Sequence, residues 1–393
     1  MGRERNRIAK RREKNAIVEC NKIQKKFYPE LFTRFGEVSD PRNVSYIEYS
    51  TREILGTIYY KGIAGISSMQ EMTRQFTDEA VTKNLYQFLG SESKEYMPHG
   101  VTVNEMLERL EPIELERIQK DLAYTMIRRK TFDSAKVEGC WLVLVDGTEL
   151  DEGYQKKNEY YLSRTYHRGE ADEFVKYHRS VLEAKLYLGN NLVCSIATEP
   201  IENSDEYNKK QMTEEAIKQD CESKAFKRLA KKLKKEFPRL PVCIVADGLY
   251  VSSKVMDICR NNDWKYIIRY KEGCASTIEQ EFIETPEKEV IDGAEYVNGI
   301  VYKYNAPTVN VLRYKETSVK SGKEKETRYT WITNIEISKT NAMKLVRAGR
   351  SRWKIENQGF NRQKHWQGNM EHACSFHEKA QKNHYLLEQI SDF

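Results

Sequence analysis

Two apolar stretches of this 393-residue chain end in the same dipeptide: WLVLVDG closes on Asp146 and LPVCIVADG on Asp247, each followed by Gly. A third acid, Glu356, is the one carboxylate in RSRWKIENQGFNRQK (350–364), among five Arg and Lys. Taken singly, each has a plain reading. Asp-Gly makes a turn whose side chain accepts backbone N–H bonds. Glu356, four residues after Arg352, makes a solvated helical ion pair worth a few tenths of a kcal/mol. Taken together they suggest chemistry. An Asp just past the last buried residue of a strand lies at the carboxyl edge, where open α/β sheets place ligands. If the first and fourth strands lie side by side, Asp146 and Asp247 converge there, and a following helix can bring Glu356 to them. Three carboxylates without His or Cys make a hard, all-oxygen site suited to Mg2+ or Mn2+ rather than zinc. Two such ions about 3.5–4 Å apart activate a water or a 3'-hydroxyl and stabilise the leaving oxygen in phosphodiester chemistry. The ions would neutralise Glu356, and the cations around it would be spaced for phosphates.

The elements that must position these residues follow from periodicity. From 140 the pattern is that of strands: WLVLVDG, roughly 173–188, and NLVCSIATEPI, expected as an antiparallel meander. A helix is predicted at about 213–236, with Phe226, Leu229, Ala230, Leu233 and Phe237 as the apolar stripe and Lys and Arg over the rest. The strand LPVCIVADG, a helix near 251–262 and the strand WKYIIRYKEG come next. A Tyr-rich polar stretch then runs to about 335, and a last helix leads from SKTNAMKLVRAG into 350–364. Upstream, 46–138 reads as helical, with capping boxes at STRE (50–53) and TVNE (102–105). Within it, TREILGTIYYKGIAGISSMQEMTRQF holds two helical patterns, either a DNA-reading helix-turn-helix or two packed helices.

Hydrophobic residues make up 39% and charged residues 32% of the chain, enough for a sizeable core beneath a polar surface. No run approaches the 18 or so apolar residues of a membrane span, and GRERNRIAKRREK lacks the apolar segment of a secretory signal, so a cytoplasmic protein is expected. Residues 1–26 carry ten Lys/Arg and three Glu, a net +7 against +6 for the whole chain. Such an arm touches phosphates or an anionic membrane, or simply keeps the protein in solution. The eight cysteines include no CxxC pair, so reduced thiols are expected rather than a zinc site or a disulfide framework.

On these motifs the sequence resembles the DDE transposases of bacterial insertion sequences, in the insertion-sequence-four-like class, over about 45–375. LVDGT (144–148) stands for the family's first motif and VADGLY (245–250) for its second. RWKIE matches part of its Tyr-x2-Arg-x3-Glu-x6-Lys helix through Arg352, Trp353 and Glu356. The 109 residues from Asp247 to Glu356 also resemble this class, which carries a mostly β insertion there. Gly349 replaces the motif's Tyr. Gln363 replaces its Lys, with Lys364 one place beyond.

The resemblance implies an α/β ribonuclease H-like core of mixed sheet flanked by helices, an N-terminal helical domain, and a β-rich insertion before the last catalytic helix. In this chain the parts would be a basic arm (1–45), a helical domain with a possible DNA-binding role (46–138), core (139–272), insertion outside the catalytic sheet (273–335), final core helix (336–375) and tail (376–393). Asp146, Asp247 and Glu356 would be catalytic residues and ligands of two Mg2+ or Mn2+ ions. Arg352, Trp353, Lys354 and Lys364 would contact DNA. The partners would be double-stranded DNA, both element ends and target, and a second copy of the chain assembled on that DNA, with nucleoid association when bound and no membrane. The chain ends 37 residues after Glu356, which leaves a shortened or inactive copy open.

Other readings stand beside these. Trp353 could stack on a displaced base or belong to the core, and Trp331 reads as buried. His167, His178, His365, His372, His377 and His384 show no ligand spacing. Glu149, Asp151 and Asp220 read as solvated surface acids. A nuclease on the same core, a DNA-binding protein derived from a transposase, and a metal-free carboxylate-pair glycosidase are the rival functions; the basic surroundings of Glu356 disfavour the last.

Overall fold

A computed structural model describes residues 17–203, 220–270, 273, 275–302, 308–320 and 323–393. The arm's first 16 residues and the expected helical turns at 213–219 lie outside the described residues.

Alternation in the apolar strands builds the centre. Along β1 (Trp141–Gly153), Val143 and Val145 pack on one face and Leu142 and Leu144 on the other, so the sheet is buried on both sides. β1 pairs antiparallel with β3 (Phe174–Gly189), whose other edge takes β2 (Leu162–Tyr166) and β4 (Leu192–Ile201). On its free side β1 pairs parallel with β5 (Val242–Ala246), and β5 pairs parallel with β6 (Lys265–Tyr270). The expected meander is therefore present, with β2 added. That strand escaped the sequence reading because LSRTY is short and polar.

The segment 273–335 is strand-rich but does not lie outside this sheet. After a helix at Ser276–Glu284, β7 (Glu289–Ile291), β8 (Ala294–Val301), β9 (Thr308–Lys320) and β10 (Lys323–Thr333) form antiparallel neighbours. β10 pairs with β6, giving one mixed sheet among the described residues in the order β2-β3-β1-β5-β6-β10-β9-β8-β7, with β4 on β3. The physical reason is the open edge of β6, whose backbone groups need partners that β10 supplies. With the helices on both faces and the helical region before it, this is the mixed α/β architecture of a ribonuclease H-like core.

Among the described residues, a helical stretch at 17–27 is followed by α1 (Leu31–Glu37), α2 (Thr51–Ile63), α3 (Met69–Gln75), α4 (Glu79–Leu89), α5 (Gly100–Arg109) and α6 (Pro112–Arg128) before the sheet. After β4 come α7 (Glu222–Glu236), α8 (Ser253–Asn261), α9 (the Ser276–Glu284 helix), α10 (Ala342–Arg350), α11 (Asn361–His365) and α12 (Glu378–Ser391). Ser50 and Glu53 form the capping box expected for α2. TVNE does not cap: it lies inside α5, whose N-terminus is held by His99 Nδ1 accepting from Val101 N at 3.1 Å. α2 is buried along nearly its whole length, which removes it from any groove-reading surface. Residues 17–45 are not a free arm, because Leu31, Phe32 and Phe35 enter the helical core. Nor is 376–393 a loose tail: Ala380, Leu386, Leu387 and Ile390 of α12 complete that same core. No helix among the described residues is long and apolar enough to cross a membrane.

Candidate active site

Parallel pairing of β1 and β5, in register from Trp141↔Val242 to Leu144↔Val245, delivers the two Asp-Gly steps to one edge. Each aspartate also makes the turn its dipeptide promises. Asp146 Oδ1 accepts from Gly147 N at 3.1 Å, and Asp247 Oδ1 accepts from Leu249 N at 2.8 Å, capping the short 3-10 helix Gly248–Tyr250.

The third acid arrives by way of Arg352. Its Nη2 donates to Glu356 Oε1 at 2.9 Å and its Nη1 to Asp146 Oδ2 at 2.9 Å. The pair read as a local, solvated contact is thus part of a bridge across the fold, with the guanidinium largely buried. Burial pushes the Asp146 carboxyl up to about 7; Arg352 opposes the shift, and the charges of Glu356, Glu222 and Asp247 add to it. Four carboxylates from four elements therefore feel one another at this edge.

Their oxygens do not close on a single point. Among the described residues, the one group of three whose ligand atoms all lie within 4.8 Å of one another is His167, Glu170 and Asp172, exposed between β2 and β3. That cluster is a surface ion pair of His167 and Asp172 with a neighbouring acid. At the sheet edge, Arg352 stands between Asp146 and Glu356. A pair of ions about 3.5–4 Å apart does not require all outer ligands within one sphere, since they bind different ions. The donor set at the edge is all carboxylate oxygen, which fits Mg2+ or Mn2+.

The segment carrying Glu356 explains both departures from the family motif. Gly349 packs against Trp331, which is 1% exposed: a Cβ at 349 would meet the indole at 2.5 Å, so the Tyr of the motif has no room. Beyond Glu356 the helix is not α. Residues Ile355–Phe360 form a π-helix, with Asn361 N donating to Glu356 O five residues back. A π-turn holds one residue more than an α-turn, so Lys364 comes round to about the angular place that 363 has on an uninterrupted helix. Gln363 instead points inward, fully buried, and donates to Gln389 Oε1 at 2.9 Å. Lys364 pairs with Glu371 at 2.7 Å.

Trp353 is 50% exposed, with the Arg352 guanidinium 5.4 Å from its ring centre, so it is not the core residue that helix packing suggested. Beside it, Lys354, Arg347, Arg350, Tyr314 and Tyr329 line an open groove of about 880 Å³. Of the acids read as surface groups, Asp151 and Asp220 are largely buried in ion pairs, while Glu149 keeps a solvated one. Asp151 pairs with Arg179 at 2.5 Å and accepts from the Tyr161 hydroxyl, Asp220 pairs with Arg228 at 2.6 Å, and Glu149 with Arg164 at 3.2 Å. The acid that the sequence reading missed is Glu222, at the start of α7. Nothing in its spacing separates it from Asp220 two residues earlier, and the β4–α7 geometry alone brings it to the edge.

Residues 217–384 match the family described as Transposase DDE domain. Over these residues, fewer than half of the 393, the chain is similar to a transposase DDE domain. The matched span contains Asp247 and Glu356; Asp146 precedes it and joins them through the β1–β5 pairing. None of the curated proteins matches this chain.

Proposed function

We propose that the protein is a DNA transposase that cleaves phosphodiester bonds at transposon ends and joins the freed 3'-hydroxyl to target DNA by two-metal-ion chemistry. The observation that carries this reading is the joining of Asp146 to Glu356 by Arg352, next to the strand that delivers Asp247. Asp146, Asp247 and Glu356 would hold two divalent ions, Mg2+ or Mn2+. When bound, such ions lower the pKa of the attacking oxygen and stabilise the leaving one.

The chain's own groups do the rest. Arg352 presents a planar fork that fits a phosphate as well as it fits a carboxylate, so it can hold the scissile phosphate beside Asp146. Trp353 offers an exposed ring to an unpaired base, and Lys354 with the neighbouring arginines of the groove tracks the strand's phosphates. Lys364, brought round by the π-turn, reaches the backbone beyond. Two copies acting together on double-stranded DNA complete the reading.

The test uses the full chain, Mg2+ and duplex DNA carrying the sequences that flank its own coding region. Nicked ends and joined products are expected, abolished by EDTA and by D146N or D247N. Nicking that survives in D247N, or that ignores EDTA, would overturn the assignment. Cleavage without joining would make the protein a nuclease on the same core, and binding without cleavage a DNA-binding derivative of a transposase.

A further inference from the structure

We infer that Glu222 is a fourth carboxylate of this site, holding the divalent ion on the side shared by Asp146 and Asp247; the inference rests on the metal-site reading above. Glu222 reaches the sheet edge from α7, on the face opposite the one that carries Arg352 and Glu356. It is wedged between the two Asp-Gly steps. On one side it lies against Gly147, where an added Cβ would sit 2.6 Å from its Oε1. On the other, the Tyr250 hydroxyl donates to its Oε2 at 3.0 Å, and Tyr250 belongs to the turn that Asp247 caps. Gly147 thus has a reason beyond the turn: any side chain there would push Glu222 away from Asp146.

A plain alternative exists, since an acid in the first turn of a helix is favoured by the helix dipole. The surroundings argue for more. Glu149, Asp151 and Asp220 each have an arginine partner. Glu222 is part-buried, has a neutral tyrosine hydroxyl as its side-chain partner, and among the described residues makes no ion pair. A carboxylate half removed from water, beside other carboxylates and with no cation of its own, is stabilised when a cation enters. Its position between Asp146 and Asp247 puts it next to the ion those two would share.

The experiment is Mn2+ binding by the full chain without DNA, followed by electron paramagnetic resonance of the free ion. The unmutated protein is compared with E222Q, Y250F and D146N, and each protein's unfolding midpoint is recorded without metal. Gln keeps the acceptor for Tyr250 and removes only the charge. E222Q should bind Mn2+ about tenfold more weakly while its metal-free midpoint stays level or rises, because one like charge has gone. Y250F, which keeps the charge, should stay within a few-fold of the unmutated protein. Unchanged Mn2+ affinity in E222Q alongside a loss in D146N would leave Glu222 as a helix-end acid and defeat the inference alone. A loss in Y250F as large as in E222Q would also defeat it, showing that the hydrogen bond and not the charge matters. Unchanged affinity in D146N as well would bring down the metal-site reading itself.

Discussion

Asp146 and Glu183 stand directly across from each other in the β1–β3 ladder, and the fold treats them in opposite ways. Glu183 is fully buried and its two oxygens accept from the Ser195 and Thr198 hydroxyls. Around it lies a closed polar network. Lys185 Nζ, also fully buried, donates to Gln389 at 2.7 Å and lies 3.8 Å from Asp392, which pairs in turn with Arg362. Glu183 has a fixed donor on each oxygen, and Lys185 with Gln363 and Gln389 ties α11 and α12 to β3. At the edge, Asp146 and Glu356 share a single guanidinium, and Glu222 has a hydroxyl. Carboxylates matched within the fold hold it together, whereas carboxylates in excess of their cations hold room for a ligand.

The sharpest way to break this contrast is Glu356→Gln. If the edge acids serve chemistry, Mg2+-dependent cleavage should fall about a thousandfold or more, while duplex binding survives because Arg352, Lys354 and Lys364 remain. Activity retained with the folding midpoint shifted slightly would return Glu356 to an ordinary ion pair. The matching change in the interior is Lys185→Met, which leaves buried carboxylates short of a cation. Denaturant unfolding should show a loss of about 3–5 kcal/mol. A loss below about 1 kcal/mol would mean that the interior acids are not matched by Lys185.

Gly349→Tyr restores the family's residue and tests whether Trp331 excludes it. Overpacking should cost about 3 kcal/mol, and the double variant with Trp331→Ala should recover part of it.

A pH test on one interior histidine leaves every edge residue unsubstituted. Burial, with Lys61 and Arg179 nearby, holds His384 down at about 3, and its Nε2 lies 2.7 Å from Asn104 Oδ1. Its ordinary value is about 6.5. Because the folded value lies below the unfolded one, the unfolded chain takes up the proton first as pH falls, and stability present above about 6.5 is lost on the way down. By pH 5 that loss is about 2 kcal/mol, and His384→Gln should remove this part of the slope in unfolding curves taken between pH 7 and 5. An unchanged slope would show that His384 is not held neutral.

The smallest effect belongs to the exposed lysines of α7. Replacing Lys227, Lys231 and Lys235 by Gln should leave stability within about 0.5 kcal/mol. The same change should lower the salt slope of duplex binding by up to about one unit per lysine that meets a phosphate. No change in slope would move the DNA to another face.

What the sequence by itself determined is what short-range patterns determine. Short apolar runs marked β1, β5 and β6, and the stripe from Phe226 to Phe237 marked the buried face of α7. STRE capped α2, and Asp292-Gly293, both at positive φ, turned β7 into β8. The two Asp-Gly steps were legible for the same reason: a strand that is buried on both faces must end in something polar where it leaves the sheet. Tertiary structure decided the rest. Arg352 meets Asp146 across 206 residues, Trp331 from β10 takes the space of a missing tyrosine, and β10 closes the edge of β6. Glu222 joins the site only because α7 starts beside Gly147, while Asp220, with the same charge two residues earlier, is taken by Arg228. Spacing records which residues can share a helix face or a strand, but a carboxylate's use depends on which distant groups desolvate it and which cations reach it, and those are set when the sheet and its covering helices pack.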